Sequence, residues 1–171
     1  MAFTPIWLAC GTGAMTMSFE QEDSKLDCWR SVEGGLWRAY HYGEAPVDGD
    51  FHWVALDPLL DLTGASQGEE PTHHYVVETD VSTQALEEFT AWYDTEHMPG
   101  LARVPGTVRA RRFKRLEGSP RFIACYDLTS PLTLERPEWL AVRHTPWSDR
   151  VRPMFRGTVR AMYQRAHLCT S

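Results

Sequence analysis

A chain of 171 residues, 43% hydrophobic and 23% charged, is long enough to bury a core without disulfides or metals, and no apolar run approaches the roughly 20 residues that span a bilayer. Its net charge of −6 disfavours nucleic acid as a partner. The charge is also divided: residues 1–102 hold 18 of the 23 acidic groups and residues 103–171 hold 14 of the 17 basic ones, so the two parts attract each other.

Arginine outnumbers lysine 15 to 2, which makes the second part rich in rigid bidentate donors, suited either to ion pairs or to a bound carboxylate or phosphate. Cys10, Cys28, Cys125 and Cys169 show no CxxC spacing, the pattern of free thiols in a reducing compartment rather than of a disulfide frame or a zinc site. The apolar Ile6–Cys10 segment is too short for a secretory signal and lacks a basic leader, so the expected location is cytoplasmic.

Phe3 to Cys10 (FTPIWLAC) reads as a buried strand closed by a turn at Gly11 and Gly13, a turn that lacks the third glycine of a nucleotide fingerprint. Residues 14–31 carry weak patterning and suggest at most a short helix. Leu36–Tyr42 and Phe51–Asp57 are strand-like, and the Pro, Asp and Gly residues between them predict a hairpin. Pro58–Pro71 reads as loop. Thereafter His73–Val81 (HHYVVETDV) predicts a strand, Thr107–Arg115 a second, and Arg121–Leu128 (RFIACYDL) a third. A second helix is expected over Glu135–Trp147, interrupted near Pro146, and Thr158–Arg165 makes a final strand.

Between the first two strands of that series lies LEEFTAWYDTEHMPGLARVPG, Leu86 to Gly106, around which the rest is organised. Leu86, Phe89, Tyr93 and His97 fall three and four apart and form one stripe. Asp80, Ser82 or Thr83 can cap the start, and Pro99 with Gly100 predicts the end, which puts His97 in the last turn. The order is βαββαβ, a ferredoxin-like antiparallel sheet with both helices on one face, hence an α+β fold.

The halves also echo each other. VEGGLWRAYHY at 32–42 shadows VPGTVRARRF at 104–113, and FHWVALDPL at 51–59 shadows RFIACYDLT at 121–129, so residues 1–70 read as a degenerate repeat of a complete unit at 71–171. Together with this pattern, the phrases FTAWYDTEHMPGLARVPG (Phe89–Gly106), RARRF (Arg109–Phe113), PRFIACYDL (Pro120–Leu128) and MFRGTVRAMYQR (Met154–Arg165) resemble the dimeric α/β-barrel superfamily and, within it, its EthD-like branch. The resemblance implies two ferredoxin-like sheets closing a barrel, from one chain or from two, with a cavity for a small molecule and a homodimer as the assembly. It also implies a range of activities, from cofactor-free monooxygenases, isomerases, dehydratases and decarboxylases of aromatic compounds to haem enzymes.

His97 is the leading candidate for proton transfer, with Glu96 beside it to tune its basicity and Tyr93 one turn earlier as a hydrogen-bond partner. The alternative role for His97 and Glu96 is to fix the helix end. Trp92 is a candidate aromatic liner. Strand 107–115 alternates Val108, Ala110 and Arg112 against Thr107, Arg109, Arg111 and Phe113, so either face brings an arginine to a ligand; Arg109, Arg112 and Tyr126 are the polar liners expected. The tandem His73 and His74 point to opposite faces, which excludes chelation of one ion and leaves His74 as a further liner. No HExxH, CxxCH or GxSxG occurs, so neither a zinc hydrolase nor a serine hydrolase is expected. The reading is a cofactor-independent lyase or isomerase acting on a small aromatic or polyketide-like molecule. The alternatives are a haem enzyme using His97 or His144 as axial ligand and a non-catalytic binding protein.

Overall fold

The computed structural model of the chain describes residues 4–13, 26–46 and 51–166. Eight strands and four short helices follow one another as β1 (Ile6–Thr12), β2 (Leu26–Ser31), β3 (Leu36–Tyr42), β4 (Val54–Thr63), β5 (His73–Asp80), α1 (Leu86–Trp92), α2 (Met98–Ala102), β6 (Thr107–Arg115), β7 (Phe122–Leu128), α3 (Pro137–Arg143), α4 (Pro146–Val151) and β8 (Arg156–Arg165). All strand pairings are antiparallel, and the strands close into a barrel in the order β1-β3-β2-β8-β5-β7-β6-β4. Within each set of four the order is fourth, first, third, second, the arrangement of a ferredoxin-like unit. The barrel therefore closes inside one chain through two seams, β2 against β8 and β4 against β6, and a second chain is not required to complete it.

This order corrects three expectations. β3 and β4 do not form a hairpin, because β1 lies between them and pairs with both. Residues 26–31 form a strand rather than a helix: closure brings them against β3 and β8, and Trp29 becomes fully buried there. The internal echo is offset by one strand as well, since β3 occupies the third place of its unit whereas the segment it shadows, β6, occupies the second. β4 also runs on to Thr63, through part of the expected loop; its Gly64 neighbour passes so close to β6 that a Cβ there would sit 2.0 Å from the Thr107 carbonyl oxygen. Cys169 and residues 14–25 lie outside the described residues.

Strand alternation divides the core into three clusters, one of them Ala9, Cys28, Trp37 and Ala39 on the outer face of the first unit. Inside the barrel, Leu8, Trp29, Tyr40, Val76, Phe113, Ile123 and Cys125 pack together. On the outer face of β5–β8, Phe122, Ala124, Tyr126 and Leu128 pack under the helices with Phe89, Trp92, Tyr93, Met98 and Trp139. All the helices come from the second unit and cover this one face; among the described residues the first unit contributes none.

Candidate active site

The site begins with the way the central helix avoids ending at its proline. The Ser82 hydroxyl accepts from the Ala85 amide at 3.3 Å, and Glu87 and Glu88 occupy the first turn of α1. After Trp92 the chain enters a π turn, Tyr93–His97, in which the Met98 amide reaches back five residues to the Tyr93 carbonyl. The widened turn lets Pro99 enter at the start of α2, where a missing N–H costs little, and the helix continues to Ala102 instead of stopping at Pro99–Gly100. One consequence is that Trp92, Tyr93, His97 and Met98 are all buried, a broader inward face than a regular stripe supplies.

Tyr93 and His97 border a cleft between these helices and the sheet. Tyr75 and Val77 of β5, Tyr126 of β7 and Arg160 of β8 form its floor. Trp139 and Arg143 of α3, then Arg152 and Phe155 on the approach to β8, form the opposite wall. The cleft measures about 380 Å³ counted out to its mouth, and its enclosed part about 30 Å³, room for roughly two waters. The His97 ring stacks on Trp92 at 4.1 Å and meets the edge of Tyr93 at 5.5 Å. Trp92 is fixed in turn by its indole N–H, which donates to Ser148 Oγ at 3.2 Å, and the Tyr126 hydroxyl donates to Met98 Sδ at 3.0 Å.

His97 Nδ1 is buried without a partner. Burial, reinforced by the positive charges of Arg152 and Arg143, pushes the imidazole pKa down to about 3, so the ring is neutral at physiological pH. The Tyr93 phenol is driven up by burial, opposed by Arg112, and stays protonated. Among the described residues none of Arg143, Arg152 and Arg160 forms an ion pair with a carboxylate. These three arginines were not singled out in the sequence, because they stand on three separate elements and meet only in the folded chain.

His97, Tyr93, Trp92 and Tyr126 thus come together as the sequence suggested, and four other candidates do not. Glu96 faces away from the imidazole and accepts from the Thr145 hydroxyl at 2.6 Å, tying the helix to the turn before α4. Arg109 is half exposed and pairs with Asp61, away from the cleft. Arg112 is fully buried but lies beneath the helix rather than in the cleft: it donates to Asp94 at 2.8 Å and its guanidinium sits 4.8 Å from the Tyr93 ring centre and 5.0 Å from that of Phe89. It acts on Tyr93 by packing, as a support. His74 points into the barrel, the opposite side of the sheet from the cleft.

There His74 joins a second polar set, sealed from solvent. Its Nδ1–H donates to Asp127 at 2.7 Å, its Nε2 accepts from the Tyr40 hydroxyl at 3.0 Å, and its ring stacks on Trp29. Asp127 also receives Arg111 at 2.9 Å, whose charge, with the His74 bond, overcomes burial and holds the carboxyl at about 2. Burial keeps His74 below the usual histidine range. Arg38 reaches across to Glu78 at 3.0 Å. Tyr40, Arg38 and Trp29 come from the first unit and His74, Asp127 and Glu78 from the second, so this set joins the two halves.

The haem implied as an alternative does not suit these residues. One face of the His97 ring is covered by Trp92 and its Nδ1 is buried, while His144 is exposed in the turn between α3 and α4. Among the described residues no three His, Cys, Asp or Glu side chains gather as a metal site, and no helix is long and apolar enough to cross a membrane.

No protein-family model and no curated protein matches the chain. Solved structures do. A candidate monooxygenase from Fusobacterium nucleatum superposes with a TM-score of 0.67 at 12% identity, over 98% of this chain and 94% of that one. An anthrone oxidase-like protein gives 0.65 at 15% identity, over 97% and 92%. LmHde, a haem-degrading enzyme from Listeria monocytogenes, gives 0.61 at 10% identity, over 95% and 99%. What the chain has in common with these proteins is the fold, an α+β barrel of ferredoxin-like units.

Proposed function

We propose that the chain is an enzyme acting on a small aromatic or polyketide-like molecule in the cleft between α1, α3 and strands β5, β7 and β8, and that its chemistry opens with proton transfer to His97. The observation that carries this reading is the neutral imidazole with a buried, unpartnered Nδ1 at the wall of a cavity bounded by Tyr75, Tyr93 and Tyr126. A neutral ring is free to accept a proton, and its stacking on Trp92 fixes where the acidic C–H or O–H of the substrate must lie. Burial first, and then the charges of Arg152 and Arg143, make the imidazole a weak base. Negative charge arriving or developing in the cleft offsets those arginines and strengthens it. In this reading Tyr93, held protonated, donates to the resulting oxyanion. The phrase FTAWYDTEHMPG supports placing the chain in the EthD-like branch of the fold.

From a deprotonated substrate two outcomes are open. Internal return of the proton or loss of a leaving group gives the isomerase or lyase chemistry read from the sequence. The names of the neighbouring structures favour a second outcome, monooxygenation, in which an activated ring CH₂ and O₂ become C=O and H₂O. Turnover of a panel of anthrones and hydroxylated aromatic acids, with oxygen uptake read in parallel, separates the two. His97→Gln is expected to cut turnover by on the order of 100-fold while leaving the fold intact by circular dichroism. Undiminished turnover in that variant would remove His97 from the mechanism, and a wild-type protein that binds panel members but converts none would be a binding protein instead.

A further inference from the structure

The three arginines of the cleft are unlike most of the others in the chain. Eight arginines, at positions 38, 109, 111, 112, 115, 121, 150 and 165, hold carboxylates. Arg143, Arg152 and Arg160 instead converge on one another. Arg152 donates to the Arg143 main-chain carbonyl at 3.4 Å, and the charges of Arg160, Arg143 and Arg152 all fall on the Tyr75 phenol at the cleft floor. Partial burial, followed by the repulsion of Arg143 and Arg160, lowers the Arg152 pKa; Asp149 of α4 offsets it in part. Three like charges crowded around one opening are costly unless something negative comes between them. Behind them the cleft is aromatic, and two buried nitrogens there, His97 Nδ1 and Trp139 Nε1, have no partner in the protein.

We propose that Arg143, Arg152 and Arg160 form an anion-binding rim, so that the molecule this cleft takes is an aromatic compound carrying a carboxylate or an ionised phenol, its charge between the guanidiniums and its ring at the cleft mouth beside the partly exposed Tyr75 and Phe155. The proposal rests on the cleft being the ligand site and not on any reaction there. It replaces Arg109 and Arg112, the arginines expected from the strand pattern, with three from α3, the turn after α4, and β8. It also gives the anion a second effect. His97 is faced by Arg143 and Arg152 from the α3–α4 side, by the protonated Tyr93 of its own helix and by Tyr75 and Tyr126 from the sheet; among these the only charges are positive, so a bound anion raises the proton affinity of the imidazole.

The test is calorimetric titration of the whole chain at pH 7 with 2-naphthoate and with its neutral counterpart 2-naphthamide. The naphthoate is expected to bind, with the amide at least about tenfold weaker. Arg143→Gln and Arg152→Gln should each weaken the naphthoate by roughly tenfold to a hundredfold and leave the amide unchanged. Arg160→Gln, at an exposed position, supplies the same readout should either of the others fail to fold. In parallel, the NMR titration midpoint of the His97 ring should rise when naphthoate is present. Equal affinity for acid and amide, undiminished naphthoate binding in the variants, or no binding of naphthoate at millimolar concentration would each overturn the proposal. If His97→Gln keeps both turnover and acid-over-amide selectivity, the proton-transfer role falls while the rim stands.

Discussion

The burial of His97 makes a claim about stability that needs no substrate. In the unfolded chain the imidazole titrates near 6.5, and in the native state near 3. A native pKa below the unfolded one means that the unfolded state takes up the proton first, so the stability contributed by the neutral ring is complete above pH 6.5 and is lost as the pH falls toward 3. Between pH 7 and pH 4.5 the unfolded chain gains nearly one proton at this site and the native chain almost none, which amounts to about 2.5 kcal/mol of lost stability. His97→Gln deletes that loss and leaves the titrations of His74 and Asp127 in place. Urea unfolding of both proteins at the two pH values, followed by tryptophan fluorescence, should show the wild type losing about 2.5 kcal/mol more than the variant. Equal losses would mean that His97 titrates as an exposed histidine and that the site is open to water.

Two further outcomes follow from the framework around the cleft. Asp127→Asn strands the buried Arg111 guanidinium without its carboxylate and should cost about 3–5 kcal/mol in urea unfolding; a loss under about 1 kcal/mol would show that the barrel interior is hydrated. Gly64→Ala forces a methyl group against the Thr107 carbonyl oxygen where β4 leaves β6, and should lower Tm by about 3–10 °C, whereas an unchanged Tm would mean that this crossing is loose.

The second unit was legible because its strands alternate cleanly and its turns carry their own chemistry: β6 spans Thr107–Arg115 as read from the pattern, and β5 and β7 differ from it by a residue. The first unit was not, for a topological reason. Neighbours in its sheet are not neighbours in sequence, so the Leu36–Tyr42 and Phe51–Asp57 runs look like a hairpin although β1 separates them, and β2, six residues with charges at Asp27 and Arg30, becomes a strand through pairing that only closure provides. At the cleft, residues within one helix period, Trp92, Tyr93 and His97, could be found by spacing. Glu96 was misplaced because adjacency in sequence is not adjacency on a helix, and the π turn assigns it to Thr145. The alternation of β7 was read correctly as two sets, but which set faces the helices is decided by packing: Tyr126 turned to the cleft and Asp127 to the barrel interior.

The seams of the barrel are unequal, and that sets how it can come apart. β4 and β6 are joined along seven residue pairs, but β1 meets β4 along three and β2 meets β8 along three. Those two thin joints flank β1, β3 and β2, so the ring is mechanically a five-stranded sheet carrying all the helices, closed by a three-stranded cover. Lifting the cover parts Tyr40 from His74 and Arg38 from Glu78 and lets water reach Asp127, while the cleft, on the other side of β5, β7 and β8, keeps its walls. The barrel interior and the cleft are thereby kept apart by one layer of backbone.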